Sequence, residues 1–416
     1  MIQAPKGTFD VLPADAERRS VLETQARKVL GAAGYQRIET PVFESTDLFA
    51  RGVGEATDIV QKEMYSFDDG GGRSLTLRPE GTAPVCRAYI EHGMHKLPQP
   101  VKLWYLESFF RAEQPQRGRY RQFWQVGAEA IGTDAPEADA ELIVLLAELL
   151  EVMVVKGVGL RVSSLGSPET RAEYRERLTD YLHTYEDRLA PEVVARIDLN
   201  PLRAFDSSHP GTRSVMEGAP KLLDQLSSED EEHFASVREL LDAADVRYEV
   251  DPTLVRGIDY YTRTLFEFTS DALGAQSALG GGGRYDRLVE QIGGPATPAC
   301  GWAAGVERIL LAGAQAPIAR DPVDLFIALV AHEASSATAA FVLSREARRA
   351  GLAAQMELTG RSLKGQLKQA DRLGAQFVAI VEAGGQATLR DMSSGEQTEV
   401  PLSAVIPAVL RGSRLA

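Results

Sequence analysis

Cysteine is almost missing: the 416 residues hold two, Cys86 and Cys300, with no CxxC spacing. That argues against a disulfide framework and a cysteine-based zinc site. Both thiols read as small buried hydrophobes of a reducing cytoplasm. No apolar run reaches the roughly 18 residues that a membrane-spanning helix needs. The opening MIQAPKGTFDVLP lacks the basic-then-apolar order of a secretory signal. Fixed-period repeats and low-complexity tracts are also missing, which argues against a solenoid. Basic residues are scarce: 45 Lys and Arg stand against 59 Asp and Glu, for a formal net charge of −14. Such a balance disfavours a general nucleic-acid coat, although an acidic body can still carry local basic surfaces.

What is present suffices for a large core. Hydrophobic residues make up 44% of a chain long enough for two or three domains. Residues 15–33 read as a helix, with Val21, Leu22, Ala26, Val29 and Leu30 at helical spacing and Gly34 ending the run. The strand-like QRIETPVFE follows, with Pro41 at an edge or bulge. Packing on a sheet margin and a subunit interface suit this region equally well. SLTLRPE, VKLWYLESFFR and RQFWQVGAEAIG are strand candidates, and DAELIVLLAELLEVM is a helix apolar over a broad face. Residues 169–245 turn helical and charged, broken by Pro191, Pro201, Pro210 and Pro220, before strand character resumes at TLFEF. A helical insertion within one mostly antiparallel α+β domain is expected. Residues 313–322 read as a linker. Beyond it, DLFIALVA, a helix over 334–350, LAAQME, SLKGQLKQADRLG and QFVAIVEA alternate strand with helix. That predicts a small α/β domain with a largely parallel sheet.

Five stretches could carry chemistry. LTLRPEGTAP presents Glu80 and Thr82 at a turn; taken alone, a hairpin corner with a solvated glutamate explains it better. In FFRAEQPQRGRYRQFWQVGAE, two strand arms flank a loop, and Arg111, Arg117, Arg119 and Arg121 lie in or beside it. Guanidiniums there can fork onto phosphate oxygens. Phe109, Phe110, Phe123 and Trp124 keep this charge near a core, and Gln125, Gly127 and Glu129 alternate onto one face. VRGIDYYTRTLFEF crowds Arg256, Asp259, Tyr260 and Tyr261 before a strand. A buried ion pair with core tyrosines is the plain alternative, but such clusters are costly unless fully satisfied, so recognition of a small polar ligand explains them more readily. ALGGGGRYDRLVEQIGG lets backbone approach a ligand closely; it is neither a P-loop nor a dinucleotide fingerprint. CGWAAGVERILLAG places Arg308 in the first turn of a helix, where a solvated surface arginine is the plain reading.

Together these stretches resemble the class II aminoacyl-tRNA synthetases, and specifically the histidyl-tRNA synthetases. A long helix and strand ending at Pro41, then FRAE with its loop and strand, then GVER on a late helix stand in the class order. VRGIDYYTRTLFE and GGGRYD followed by LVEQIGG resemble the two stretches that mark the histidine enzymes. The likeness runs from KGTFDVLP to RDMSSGEQ. It implies an α+β catalytic domain over 1–315, an antiparallel sheet flanked by helices with the insertion at 169–245, and a C-terminal α/β anticodon-binding domain over 322–416. It also implies a cytoplasmic homodimer that uses ATP as a substrate with Mg2+, L-histidine and tRNA(His), with no membrane partner.

Residue by residue, the resemblance implies that Arg256 sits at the histidine carboxylate and α-phosphate, and that Arg111 grips the α-phosphate. Glu80, Gly81 and Thr82 hold the ammonium group. Gln125 and Glu129 make further histidine contacts, Tyr260 and Tyr261 line the side-chain pocket, and Tyr285 lies near the imidazole. Glu113, Arg119 and Arg308 match ATP positions. Arg361, Lys364, Lys368 and Arg372 fall at offsets that share a helix face in the last domain, where they could meet RNA phosphates. Three positions depart from the family pattern: Gln114 where arginine is common, Trp124 where histidine is common, and Arg287 where glycine is usual. Gln114 falls near the expected tRNA acceptor end and leaves open how the extra 5′ nucleotide is read. The family likeness also reaches noncatalytic regulatory paralogues of ATP phosphoribosyltransferase in histidine biosynthesis. Those usually lack the C-terminal domain and keep a degraded catalytic set, whereas this chain carries both. An accessory subunit on a dead synthetase fold would be expected to lose Arg111 or Arg256, and both are present.

Overall fold

The computed structural model describes every residue except 1, 56, 255–257, 275–276, 314–322, 331–332, 383 and 414–416. The chain divides into two compact units, Met1–Ala316 and Pro317–Ala416.

In the first unit, Pro13 opens α1 (Pro13–Ala32) at a position where its missing N–H costs nothing. Leu22, Ala26 and Leu30 of this helix are fully buried. Val21, grouped with them by spacing, is 54% exposed, because it lies one helical step around from the sheet-facing stripe. The segment read as one strand, QRIETPVFE, divides into β1 (Gln36–Arg37) and β2 (Phe43–Ser45), with Pro41 in the gap. Then come α2 (Thr46–Val53), β3 (Tyr65–Asp68), β4 (Ser74–Leu77), α3 (Thr82–Glu91), β5 (Val101–Phe110) and β6 (Gln122–Ile131). After α4 (Pro136–Val152) and β7 (Val158–Ser164), the insertion contributes α5 (Pro168–His183), α6 (Pro191–Val194), α7 (Pro210–Glu217) and α8 (Ser228–Ala243). The proline breaks anticipated there stand at or near helix starts: Pro191 and Pro210 open α6 and α7. The unit closes with β8 (Glu249–Val250), β9 (Thr262–Ser270), β10 (Ala278–Arg284), α9 (Leu288–Gln291), β11 (Ala299–Gly305) and α10 (Val306–Ala312).

Eight strands form one sheet in the order β1-β5-β6-β11-β10-β9-β7-β8. It is antiparallel except for its two margins, β1 on β5 and β8 on β7. β2, β4 and β3 make a small second sheet. Alternation along β5 sends Trp104 to the face covered by α1, α4 and α8 and Tyr105 to the opposite face, under α3 and α5. The candidate site lies on the Tyr105 side. The whole is the expected α+β architecture.

The second unit holds β12 (Leu325–Leu329), α11 (Ala334–Arg349), β13 (Ala354–Met356), α12 (Leu363–Arg372), β14 (Phe377–Val381), β15 (Gln386–Asp391), β16 (Gln397–Pro401) and α13 (Leu402–Ser413). Its sheet runs β13-β12-β14-β15-β16. The first three strands are parallel, and β15 and β16 are antiparallel. The largely parallel sheet read from the sequence therefore omitted a hairpin. Its outer strand is mostly exposed and polar, so it carries little of the apolar alternation that marks a strand.

Candidate active site

The turn after β4 does not make a hairpin corner. It leads into α3, and Glu80 is 4% exposed rather than solvated. Its carboxylate accepts the backbone N–H of Thr82 at 2.8 Å and of Ala83 at 3.0 Å, using orphan donors at the helix start. Burial still raises the Glu80 pKa. Each carboxylate oxygen keeps a lone pair for another donor.

Beside it, Glu129 of β6 is completely buried. Thr82 donates its hydroxyl to one Glu129 oxygen at 2.9 Å, Tyr105 donates to the same oxygen at 3.3 Å, and Tyr285 donates to the other at 2.5 Å. Burial outweighs these hydroxyls and pushes the Glu129 pKa up to about 8. Tyr260 packs at a tilt against Tyr261, with ring centres 4.8 Å apart, and edge-on to Tyr285 at 5.6 Å, and its hydroxyl makes a long contact of 3.5 Å with Glu80. Glu80, Thr82, Glu129, Tyr260, Tyr261 and Tyr285, scattered in sequence, thus form one buried cluster.

Glycine makes room for it. A Cβ at Gly127 would lie 2.3 Å from the Tyr105 ring, one at Gly81 would lie 2.6 Å from it, and one at Gly301 would lie 1.7 Å from a Glu129 oxygen. Tyr105 is a site residue that the sequence reading missed. Its signal was the cross-strand register, which sets it opposite Gly127.

The glycine run of β10 behaves differently from expectation. Gly280 borders a cleft, but a Cβ at Gly282 would strike Gly301 O at 2.0 Å, and one at Gly283 would strike Thr264 O at 2.4 Å. Those two glycines allow close approach of neighbouring strands rather than of a ligand.

That cleft has a volume of ≈ 470 Å³ and gathers Arg111, Glu113, Arg119, Gln125 and Arg308. The β5–β6 hairpin forms as expected and supplies four of them. Arg111 donates Nε–H to Pro79 O at 2.9 Å, beside Glu80, and lies 5.3 Å over the Phe123 ring. Cleft and carboxyl cluster therefore adjoin. Arg119 and Glu113 pair at 3.4 Å. Arg308 is not a solvated surface residue. It sits in the first turn of α10 and donates to Gly118 O at 3.0 Å, and also to Ala278 O, so it clamps the hairpin loop to two other elements. The Gln125 side-chain oxygen is buried with no hydrogen-bond partner among the described residues, which leaves an acceptor for a donor not yet in place.

Glu63, Glu267 and Glu307 also line the cleft and were not singled out in the sequence. Glu307 accepts from Arg19 of α1 at 2.5 Å and from the Trp124 N–H at 3.1 Å. Glu267 ends the VRGIDYYTRTLFE stretch and Glu307 lies within GVER, but only the folded sheet brings them together with Glu63 at the cleft.

Arg256 lies outside the described residues. Its neighbour Asp259 is paired with Arg171 at 3.3 Å. In the second unit, Ser362 is the N-cap of α12, so Lys364, Lys368 and Arg372 sit at i, i+4 and i+8, all exposed. Arg361 precedes the helix and is not on its face; it bonds Gln369 instead. The sequence reading had run the helix past its serine cap.

Comparison with known proteins points to one family. A family model described as histidyl-tRNA synthetase matches residues 7–309, and one described as an anticodon binding domain matches residues 324–411. A histidine–tRNA ligase of Desulfitobacterium hafniense is 47% identical over 410 residues, covering 96% of each chain. That of Thermosynechococcus vestitus is 46% identical over 405 residues, covering 96% of this chain and 94% of the relative. The solved structure of apo S. aureus histidyl-tRNA synthetase superposes with a TM-score of 0.80 at 35% identity, covering 98% of this chain and all of that one. By its motifs, its fold and its full-length relatives, the chain belongs to the histidyl-tRNA synthetase family of class II aminoacyl-tRNA synthetases.

Proposed function

We propose that this protein activates L-histidine with ATP to give histidyl-adenylate and pyrophosphate, then transfers histidine to the 3′ end of tRNA(His). One observation carries the reading: a fully buried carboxyl, Glu129, is ringed by three hydroxyls and adjoins a cleft carrying Arg111, Arg119 and Arg308. A site for an amino acid with a polar ring, next to a site for phosphates, is what adenylation of histidine requires.

Glu129 and Tyr285 meet the imidazole nitrogens, with Tyr260 and Tyr261 walling the ring. Glu80, Gly81 and Thr82 take the ammonium group. Gln125, whose buried oxygen lacks a partner among the described residues, accepts from the substrate. Arg111 and Arg256 hold the histidine carboxylate and α-phosphate, while Glu113, Arg119 and Arg308 bind ATP. A carboxylate oxygen attacks the α-phosphorus, and the bond to the bridging oxygen of pyrophosphate breaks. Positioning and charge stabilisation suffice, and no covalent enzyme intermediate is needed. An analogue lacking the imidazole donors leaves buried polar groups unpaired, so discrimination needs no editing site.

Magnesium fits this cleft. It is usually held by one or two carboxylates together with substrate phosphates. Glu63, Glu113 and Glu267 offer carboxylates, and no group of three or more metal-ligating residues forms a cage among the described residues. Bound with ATP, it would offset phosphate charge.

The catalytic domain spans 1–315 with its insertion at 169–245, and residues 322–416 bind the anticodon region. Lys364, Lys368 and Arg372 contribute phosphate contacts, and Arg361 contributes from the loop before them. Two copies pair, which would cover the exposed Val21, Phe43 and Phe67 around α1 and the small sheet. The free cysteines suit the cytoplasm, and no helix among the described residues is long and apolar enough to cross a membrane. The regulatory reading has less support, since the histidine–tRNA ligases of Desulfitobacterium hafniense and Thermosynechococcus vestitus match this chain along nearly its full length. Charging of a tRNA(His) transcript with labelled histidine tests the proposal. Product that appears with histidine and ATP supports it, and none with folded protein overturns it.

A further inference from the structure

The segment carrying Tyr260 and Tyr261 is short, irregular and held from several sides. Tyr260 packs edge-on against Tyr285, and Asp259 N–H bonds Val53 O at 3.2 Å. The strongest hold comes from the insertion. Arg171, in the first turns of α5, donates to Asp259 O at 2.8 Å, to Tyr261 O at 3.2 Å and to the Asp259 carboxylate at 3.3 Å. One guanidinium thus brackets Tyr260 by the backbone on both sides, across 88 and 90 residues of sequence. The Arg171 side chain is 17% exposed, so these bonds are largely shielded from water.

The base of α5 is itself fixed. Arg263 N–H donates to Gly166 O at 2.8 Å, and Leu165 N–H donates to Arg263 O at 2.7 Å. Arg263 also bonds Asp230 at 3.0 Å, and Asp230 accepts from Ser167 N–H at 2.8 Å. The fork of Arg171 is therefore presented from a braced platform. A planar guanidinium suits two carbonyls and a carboxylate together in a way that an ammonium does not.

We propose that Arg171 is a positioning residue for histidine recognition, through which the helical insertion sets the Tyr260–Tyr261 wall of the pocket. This rests on the assignment of those tyrosines to histidine, and it gives the insertion a role in amino-acid selection.

The test is histidine-dependent exchange of pyrophosphate into ATP by the full chain. In Arg171→Ala, KM for histidine rises about tenfold or more while KM for ATP stays within about twofold. Arg171→Lys, able to hold the Asp259 carboxylate but not the whole fork, gives an intermediate KM for histidine. Arg177→Ala serves as a control on the same helix, because Arg177 is exposed and bonds Gln225 at 2.8 Å, and it leaves both constants unchanged. Thermal melting checks that each variant is folded. An unchanged KM for histidine in folded Arg171→Ala, or equal rises in both constants, overturns the proposal. If the alanine variant does not fold, Arg171→Lys decides: an unchanged KM for histidine overturns the proposal, and a selective rise supports it. Wild-type protein without exchange overturns the assigned function and this inference together, whereas normal wild-type exchange with an unresponsive variant overturns the inference alone.

Discussion

Tyr285 donates its hydroxyl to Glu129 at 2.5 Å, and both side chains are buried. Removing that donor leaves a buried carboxyl with one stabilising contact fewer, a loss of about 1–3 kcal/mol. Tyr285→Phe is expected to raise KM for histidine by roughly tenfold or more with KM for ATP little changed. Steady-state exchange kinetics read both constants, and equal rises in the two would contradict the pocket assignment.

Glu129 also imposes a pH dependence on the empty protein. Its pKa stands at about 8 in the fold against an ordinary 4.5. Between those values the folded chain holds a proton that the unfolded chain has released, so stability falls as pH rises through this window. Glu129→Gln cannot titrate there. The melting temperature of the variant minus that of the wild type should grow more positive from pH 5 to pH 8. A flat difference would mean that Glu129 is ionised in the fold.

Gly301 lies against the same carboxyl, and a Cβ there would sit 1.7 Å from a Glu129 oxygen. Neither the carboxyl nor the sheet strand behind it can move far without loss of other contacts. Gly301→Ala is expected to abolish histidine-dependent exchange in a chain that keeps its helical circular dichroism. Wild-type exchange in this variant would show that Glu129 does not form the pocket floor.

Much of this was readable before folding. The β5–β6 hairpin stood out because aromatic-rich arms flank a loop rich in arginine, and the motifs carried the family. Glu80 and Arg308 were misjudged in isolation, because burial is decided by the fold rather than by local pattern: Glu80 accepts the N–H groups of Thr82 and Ala83 at the start of α3, while Gly118 O and Ala278 O, distant in sequence, hold Arg308. Tyr105, Glu63 and Glu267 were missed for the same reason. Arg171, within the charged helical insertion, was given no role in the sequence reading and proved to hold a pocket segment 88 residues away.

Lys364, Lys368 and Arg372 project from one side of α12 and are exposed. Replacing all three with alanine should weaken aminoacylation through KM for tRNA(His) and reduce the salt dependence of binding by about one unit of slope per lost phosphate contact. Exchange of pyrophosphate into ATP should be unaffected, because it needs no RNA. An unchanged KM for tRNA would remove this face from the RNA contact.

The most direct measurement is pyrophosphate exchange into ATP by the purified wild-type chain, run separately with each of the twenty amino acids. The account predicts exchange with histidine and essentially none with the others. No exchange with any amino acid, or comparable exchange with one that has no imidazole, would contradict it.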